Sequence, residues 1–254
     1  MSAGLAHCHS TFASTKDKMM KKLLFIDTET CGIPYDFDEP AENISNWPRM
    51  VQCGYILAGE DRNIIEKGSM IIRPDNFIIP DEASSIHGIT TEYALENGVP
   101  VELALLKIEL LCREADIVVG HNITFDEHII DAEFCRAGKT PCIRNMQEIC
   151  TMMESTEYCG LPNFKWPKLC ELHEILFAHN FEGAHDAMAD IQATFRCFWK
   201  LVDIRIIRLS STDMVTATEV RKTSPVIKIL RLLVNIGCAA ICLYGFYWLA
   251  KDFF

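Results

Sequence analysis

Three short segments place acids and a histidine where a strand ends or a helix begins. In Phe25-Ile26-Asp27-Thr28-Glu29-Thr30 two carboxylates stand two residues apart at the end of an apolar run. Strand alternation puts both on one face, which makes a platform for a cation. In Gly120-His121-Asn122-Ile123-Thr124-Phe125-Asp126 a glycine turn leads into a helix whose first turn carries an acid. In His185-Asp186-Ala187-Met188-Ala189-Asp190 a histidine precedes a helix and Asp190 lies on its first turns. Carboxylate oxygens suit hard divalent cations such as magnesium. An imidazole, with an unperturbed pKa of about 6.5, suits proton transfer near neutral pH. Each segment also has an ordinary structural use. Acids at strand ends are commonly just solvated, a first-turn Asp126 complements the helix dipole with Asn122 as a cap, and His185 and Asp190 taken alone are surface residues. Asp186 is assigned to capping and not to chemistry.

The elements that must position these groups follow from hydrophobic periodicity. Leu23-Leu24-Phe25-Ile26 is the continuous apolar run of a strand buried on both faces. Val51 to Leu57 and Ile64 to Ile72 predict a second and third strand, with the charged turn Ala58 to Asn63 between them. A short helix is expected near Asp81 to His87 and a longer one from Val101 to Glu114, where Leu103, Leu106, Leu110 and Leu111 recur at helical spacing. Ile117-Val118-Val119 reads as a buried strand, followed by a helix from Phe125 to Ala137 that Gly138 stops. A further strand near Glu148 to Met152 leads to a helix from Pro167 to Phe177, with the proline in its first turn. Asp186 caps a last helix carrying Ile191, Phe195, Phe198, Leu201 and Val202. A meander of strands followed by strand–helix alternation predicts an α/β fold with a mixed five-stranded sheet flanked by helices.

The composition, 49% hydrophobic and 23% charged over 254 residues, fits one packed domain with accessory segments. The net charge of -11 argues against a broad basic face. The 12 cysteines contain no CxxC pair, so zinc-finger spacing is absent and free thiols are expected. Residues 1–18 read as a loose leader without the apolar core of a secretory signal. The main domain is placed at 19–208 and a Ser- and Thr-rich linker at 209–225. Residues 226–254 are expected to form a C-terminal apolar helix. Within it Leu232 to Ala250 carries no charge and matches the roughly 20 residues that span a bilayer, so a membrane anchor through 232–250 is expected. Arg221, Lys222, Lys228 and Arg231 precede the run and only Lys251 follows it, which puts the main domain on the cytoplasmic side. A helix packed on the domain is the alternative.

Taken together, the three chemical segments resemble the DEDDh family of 3′-to-5′ exonucleases, which includes the proofreading epsilon subunit of bacterial DNA polymerase III. The resemblance runs from about Lys22 to Val202 in the family's order of motifs. Trp47-Pro48-Arg49 and Ser85-Ile86-His87-Gly88-Ile89-Thr90 are similar to further family segments, the latter to one near the terminal nucleotide. The resemblance implies a ribonuclease-H-like fold. It implies two magnesium ions, with manganese as a substitute, held by Asp27, Glu29, Asp126 and Asp190. Asp27 would bridge both ions, His185 would take the proton from the attacking water, and Thr28, His87 and Asn122 would contact the substrate.

That assignment is chemically coherent. Phosphodiester oxygens repel a nucleophile, and two cations about 3.5 to 4 Å apart stabilise both the attacking and the leaving oxygen. Acids gathered around cations are neutralised in a working site, which softens the objection from net charge. The expected partner is a single-stranded or frayed 3′ end of DNA, and a polymerase or other replication or repair partner is left open. RNA is the alternative substrate, since no segment reads a 2′-hydroxyl. A membrane-tethered nucleic-acid-binding protein without turnover is the alternative from another class. A binding protein has no need for all four acids and the histidine, and release of mononucleotides separates the two.

Overall fold

The structure, a computed structural model, describes residues 20–209. Three strands come first, β1 (Lys22–Thr30), β2 (Met50–Gly59) and β3 (Ile64–Ile71). Helices α1 (Asp81–His87), α2 (Thr91–Asn97) and α3 (Val101–Glu114) follow, then β4 (Ile117–Gly120), α4 (Ile123–Arg136), β5 (Gln147–Cys150) and α5 (Thr151–Cys159). A single 3-10 turn at Pro162–Phe164 precedes α6 (Leu169–Phe177) and α7 (Ala187–Asp203). The sheet order is β3-β2-β1-β4-β5. β1 pairs antiparallel with β2 and parallel with β4, so the sheet is mixed and β1 is its centre.

Burial on both faces explains the unbroken apolar run of β1. Leu24 and Ile26 join Leu105 and Ile108 of α3 and Ile129, Ile130 and Phe134 of α4 in one core cluster. Phe25 points the other way and meets Phe195 and Phe198 of α7 edge-on, at centroid distances of 4.9 and 5.1 Å. Each such fully buried side chain contributes about 1.5–3 kcal/mol. Alternation therefore sends Asp27 and Glu29 toward α7 and Thr28 toward α4. The described residues up to Asp203 form one compact unit.

Several expectations need correction. Of the four leucines expected to define α3, only Leu111 is buried. Leu103, Leu106 and Leu110 are 56%, 47% and 47% exposed, while Ala104, Leu105 and Ile108 face the sheet. Helical spacing identifies a stripe but cannot choose between two apolar stripes displaced by one residue. Pro167 lies before α6, whose N-cap is Lys168. α4 starts at Ile123, two residues earlier than expected, and β5 ends at Cys150 where α5 begins at once. The leader, most of the linker and the apolar run Leu232 to Ala250 lie outside the described residues. Among the described residues no helix is long and apolar enough to cross a membrane. All nine described cysteines are free.

Candidate active site

The predicted acids gather where α4 and α7 pack on β1. Across the β1–β2 ladder Asp27 pairs with Gly54 and Glu29 with Gln52. The first residue of α7 rests on this pair. A Cβ placed on Gly54 would stand 2.4 Å from the Ala187 carbonyl oxygen, so only glycine admits the approach. Ala187 N–H donates to Gln52 Oε1 at 3.1 Å. Asp186 caps the helix, its Oδ1 accepting from Met188 N–H and Ala189 N–H at 3.1 and 2.9 Å, as its position in the sequence suggests.

One turn into α7, Asp190 Oδ2 accepts His185 N–H at 3.0 Å. The exposed His185 has a left-handed backbone, φ 71°. Ligand atoms of Glu29, His185 and Asp190 all lie within 4.8 Å of one another. Asp126 approaches from α4 and is 3% exposed. Thr28 N–H and Thr28 Oγ1–H both donate to its Oδ1, at 2.9 and 2.7 Å, so the Thr28 hydroxyl is turned onto an acid.

The two remaining predicted contacts are Asn122 and His87. Asn122 occupies the N-cap position of α4 with φ 70°, and its exposed side chain makes no capping bond. His87 ends α1. Its Nδ1 accepts Ile89 N–H at 3.1 Å, and its ring also lies against the Thr30 backbone. Burial lowers the His87 pKa, the Thr30 backbone opposes this, and the charge of nearby His185 lowers it further.

Burial and mutual repulsion dominate the electrostatics. Asp27 is pushed well above the usual carboxylate range, first by burial and then by Asp126, Asp190 and Glu29. Burial together with Asp190 and Asp126 raises Glu29 to about 8. Asp126 rises to about 7 through burial, in spite of its bonds from Thr28. Burial also raises Asp190, opposed by His185. A divalent cation would relieve this repulsion; the group whose ligand atoms lie within 4.8 Å of one another among the described residues is Glu29, His185 and Asp190, without Asp27 or Asp126.

The match to the Exonuclease (RNase_T) family model spans residues 24–198 and takes in all four acids and His185. The chain belongs to this family. Its Exonuclease domain is of the DEDD 3′-to-5′ type, a phosphodiester hydrolase class with a ribonuclease-H-like sheet. The DNA polymerase III PolC-type of Ureaplasma parvum is 25% identical over 167 residues, 66% of this chain. The chain spans only 10% of that relative. E. coli Exonuclease I in complex with a dT13 oligonucleotide has the same fold, with a TM-score of 0.58 at 24% identity over 73% of this chain and 41% of that one. The zinc-bound form of the E. coli Exonuclease I complex with single-stranded DNA gives 0.57 at 24% identity, over 73% and 41%.

Two features of the Exonuclease domain escaped the sequence reading. Gly54 and Gln52 lie inside a strand that is buried throughout. The available signal was an isolated glycine in a strand, which marks close backbone approach. His121 is the other. Its Nε2–H donates to the Pro167 carbonyl at 2.9 Å and its Nδ1 meets Thr151 Oγ1 at 3.0 Å. Burial pushes its pKa down to about 4, so the ring stays neutral and ties the β4–α4 turn to the segment before α6.

Proposed function

We propose that this Exonuclease domain removes nucleoside monophosphates one at a time from single-stranded or frayed 3′ ends, with DNA favoured over RNA. In this proposal Asp27, Glu29, Asp126 and Asp190 hold two divalent cations, magnesium by preference, and His185 is the general base. The observation that carries it is the meeting of Glu29, His185 and Asp190 within 4.8 Å beside two buried acids. A histidine among metal-binding oxygens is placed to receive a proton as water attacks. Bound cations supply positive charge to the attacking and leaving oxygens.

The chain's own groups have distinct tasks. His185 accepts the proton of the water whose oxygen attacks phosphorus. The bond from phosphorus to the 3′ oxygen of the penultimate nucleotide breaks, and that oxygen leaves with the electron pair and takes a proton from solvent. His87 and Asn122 face the terminal nucleotide. Thr28 serves the substrate through Asp126, because its N–H and hydroxyl are both committed there. The E. coli Exonuclease I complex with dT13 supports DNA as the substrate. We also propose that Leu232 to Ala250 anchors the enzyme in a membrane with the domain on the cytoplasmic side. A full chain that stays in the soluble fraction without detergent refutes the anchor.

Digestion of 3′-labelled single-stranded DNA, mismatched duplex and RNA, with magnesium and with chelator, tests the function. Mononucleotides should be released from DNA only with the cation and more slowly from RNA. Asp27→Ala and Asp190→Ala should nearly abolish release, and His185→Ala should slow it by roughly 10² to 10⁴. Undiminished release by Asp190→Ala, or digestion from the 5′ end, refutes the proposal.

A further inference from the structure

β2 is buried along its whole length, yet it carries a polar side chain at Gln52, 5% exposed. A buried amide persists where its donors and acceptor are matched. Gln52 Oε1 accepts Ala187 N–H at 3.1 Å, and Gln52 Nε2 donates to Ser69 Oγ on β3 at 3.0 Å and to Asp186 Oδ2 at 3.4 Å. The amide thus spans from the neighbouring strand to the start of α7.

The first N–H groups of a helix have no partner within it. In α7 Asp186 Oδ1 takes those of Met188 and Ala189, and the Asp186 carbonyl takes that of Asp190. Only a group from outside the helix reaches the Ala187 N–H, and Gln52 is that group. Its cross-strand partner is Glu29, and the neighbouring pair is Asp27 with Gly54. The two residues that seat Ala187 are therefore the ladder partners of the two β1 carboxylates. Asp190 lies one turn beyond Ala187, and His185 is hydrogen-bonded to Asp190.

We propose that Gln52 is a positioning residue that fixes the first turn of α7 on β2, and so sets how far Asp190 and His185 stand from Asp27 and Glu29. The inference rests on the two-cation reading of that cluster. It requires both ends of the amide, Oε1 as acceptor for Ala187 N–H and Nε2 as donor to Ser69 Oγ and Asp186 Oδ2. Glutamate in its place keeps an acceptor for Ala187 but turns a carboxylate oxygen onto Asp186 Oδ2, which repels it. Leucine keeps the bulk and loses every polar contact.

The test compares Gln52→Leu, Gln52→Glu, Ser69→Ala and Asp190→Asn in the full chain. Three quantities are read: amide hydrogen exchange over Ala187 to Asp190 in chelator-treated protein, the magnesium dissociation constant by calorimetry, and kcat with KM on a 3′-labelled oligonucleotide. Gln52→Leu should speed exchange in that turn, weaken magnesium binding and lower kcat, the latter two by roughly 10- to 100-fold, with KM little changed. Gln52→Glu should shift the same three readouts in the same direction, because its carboxylate faces that of Asp186, and Ser69→Ala should fall between wild type and Gln52→Leu. Should Gln52→Leu fail to fold, the Ser69→Ala and Gln52→Glu results decide, because both perturb the donor end of the amide and keep the bond acceptor for Ala187. Wild-type exchange, metal binding and kcat in Gln52→Leu, or in both Gln52→Glu and Ser69→Ala, overturn the proposal. A wild-type Asp190→Asn overturns the site reading itself, and the catalytic meaning of Gln52 with it. An impaired Asp190→Asn beside an unimpaired Gln52→Leu overturns Gln52 alone.

Discussion

Gly54→Ala adds a single methyl group at the point where α7 rests on the sheet. Its Cβ would lie 2.4 Å from the Ala187 oxygen, 2.7 Å from the Ala187 carbonyl carbon and 3.2 Å from its Cβ. Real Cβ contacts essentially never fall below 3.0 Å, so the start of α7 must recede by about 0.6 Å. The obstacle is backbone in the first turn of a 17-residue helix, so no side-chain rotation relieves it. Overpacking of this kind costs roughly 1–3 kcal/mol of stability. The catalytic effect is separable. Asp190 and His185 ride on that turn while Asp27 and Glu29 stay with β1, so the recoil widens the cluster from one side. A displacement approaching 1 Å costs up to about 10²-fold in rate, and a tenfold loss corresponds to about 1.4 kcal/mol. We therefore expect kcat for mononucleotide release to fall by roughly 10- to 10²-fold while a folded protein with a lower Tm is retained. Initial rates on 3′-labelled single-stranded DNA at saturating magnesium, with thermal unfolding in parallel, measure both. Wild-type kcat and Tm in Gly54→Ala would refute the close seating of α7 on β2. A lowered Tm with wild-type kcat would refute the claim that this seating sets the spacing of the acids.

Other perturbations probe the remaining supports. Thr28→Val removes the hydroxyl donor to Asp126 but keeps the backbone one, and should raise the magnesium concentration for half-maximal rate by roughly tenfold; an unchanged metal requirement counts against it. Glu29 and Asp126 have pKa values raised from 4.5 to about 8 and from 3.8 to about 7, so the stability their protonated forms give the metal-free fold is fully present below about pH 4 and is lost progressively as pH rises from there through 7 to 8. Magnesium should accordingly raise Tm more at about pH 8.5 than at about pH 6, and an equal shift at both pH values contradicts the clustering of these acids. Glu133→Ala strips a buried carboxylate from Arg49 Nε at 2.8 Å, Arg136 Nη1 at 3.0 Å and Met50 N–H at 3.1 Å. A loss of about 3–5 kcal/mol in urea unfolding is expected, and a loss below about 1 kcal/mol shows that the network contributes little.

The legible parts of the fold were those whose own residues carry a periodic signal or a cap. β1 declares itself by an apolar run, and α7 by Asp186 followed by a helical apolar stripe. α2 and α5 do not. α2 is seven residues long with Ala94 as its buried side chain, and α5 buries only Thr151 and Ser155. Neither offers an apolar stripe. For α2 a local signal did exist, since Thr90 accepts Tyr93 N–H as its cap. For α5 none was available, because it leaves β5 with no intervening turn.

The site divides along the same line. Asp27, Glu29, Asp126, His185 and Asp190 each sit at the end of an element that the sequence marks by itself, so each can be nominated from its own segment. What holds them at a common distance is not contained in any one segment. β2 has no polar–apolar alternation because both of its faces are covered, so its pattern cannot say that Gln52 and Gly54 face α7. Their faces follow only from the pairing of Gly54 with Asp27 and of Gln52 with Glu29, and the ladder changes register just beyond, between Glu29 and Thr30. A slip of one residue would turn every side chain of β2 to the opposite face. Gly54 and Gln52 would then point away from Ala187, and the seat of α7 would be lost with no change in the acids themselves. The relative positions of the four acids and His185 thus depend on a register between two strands, a property of the pair that neither strand's sequence states alone.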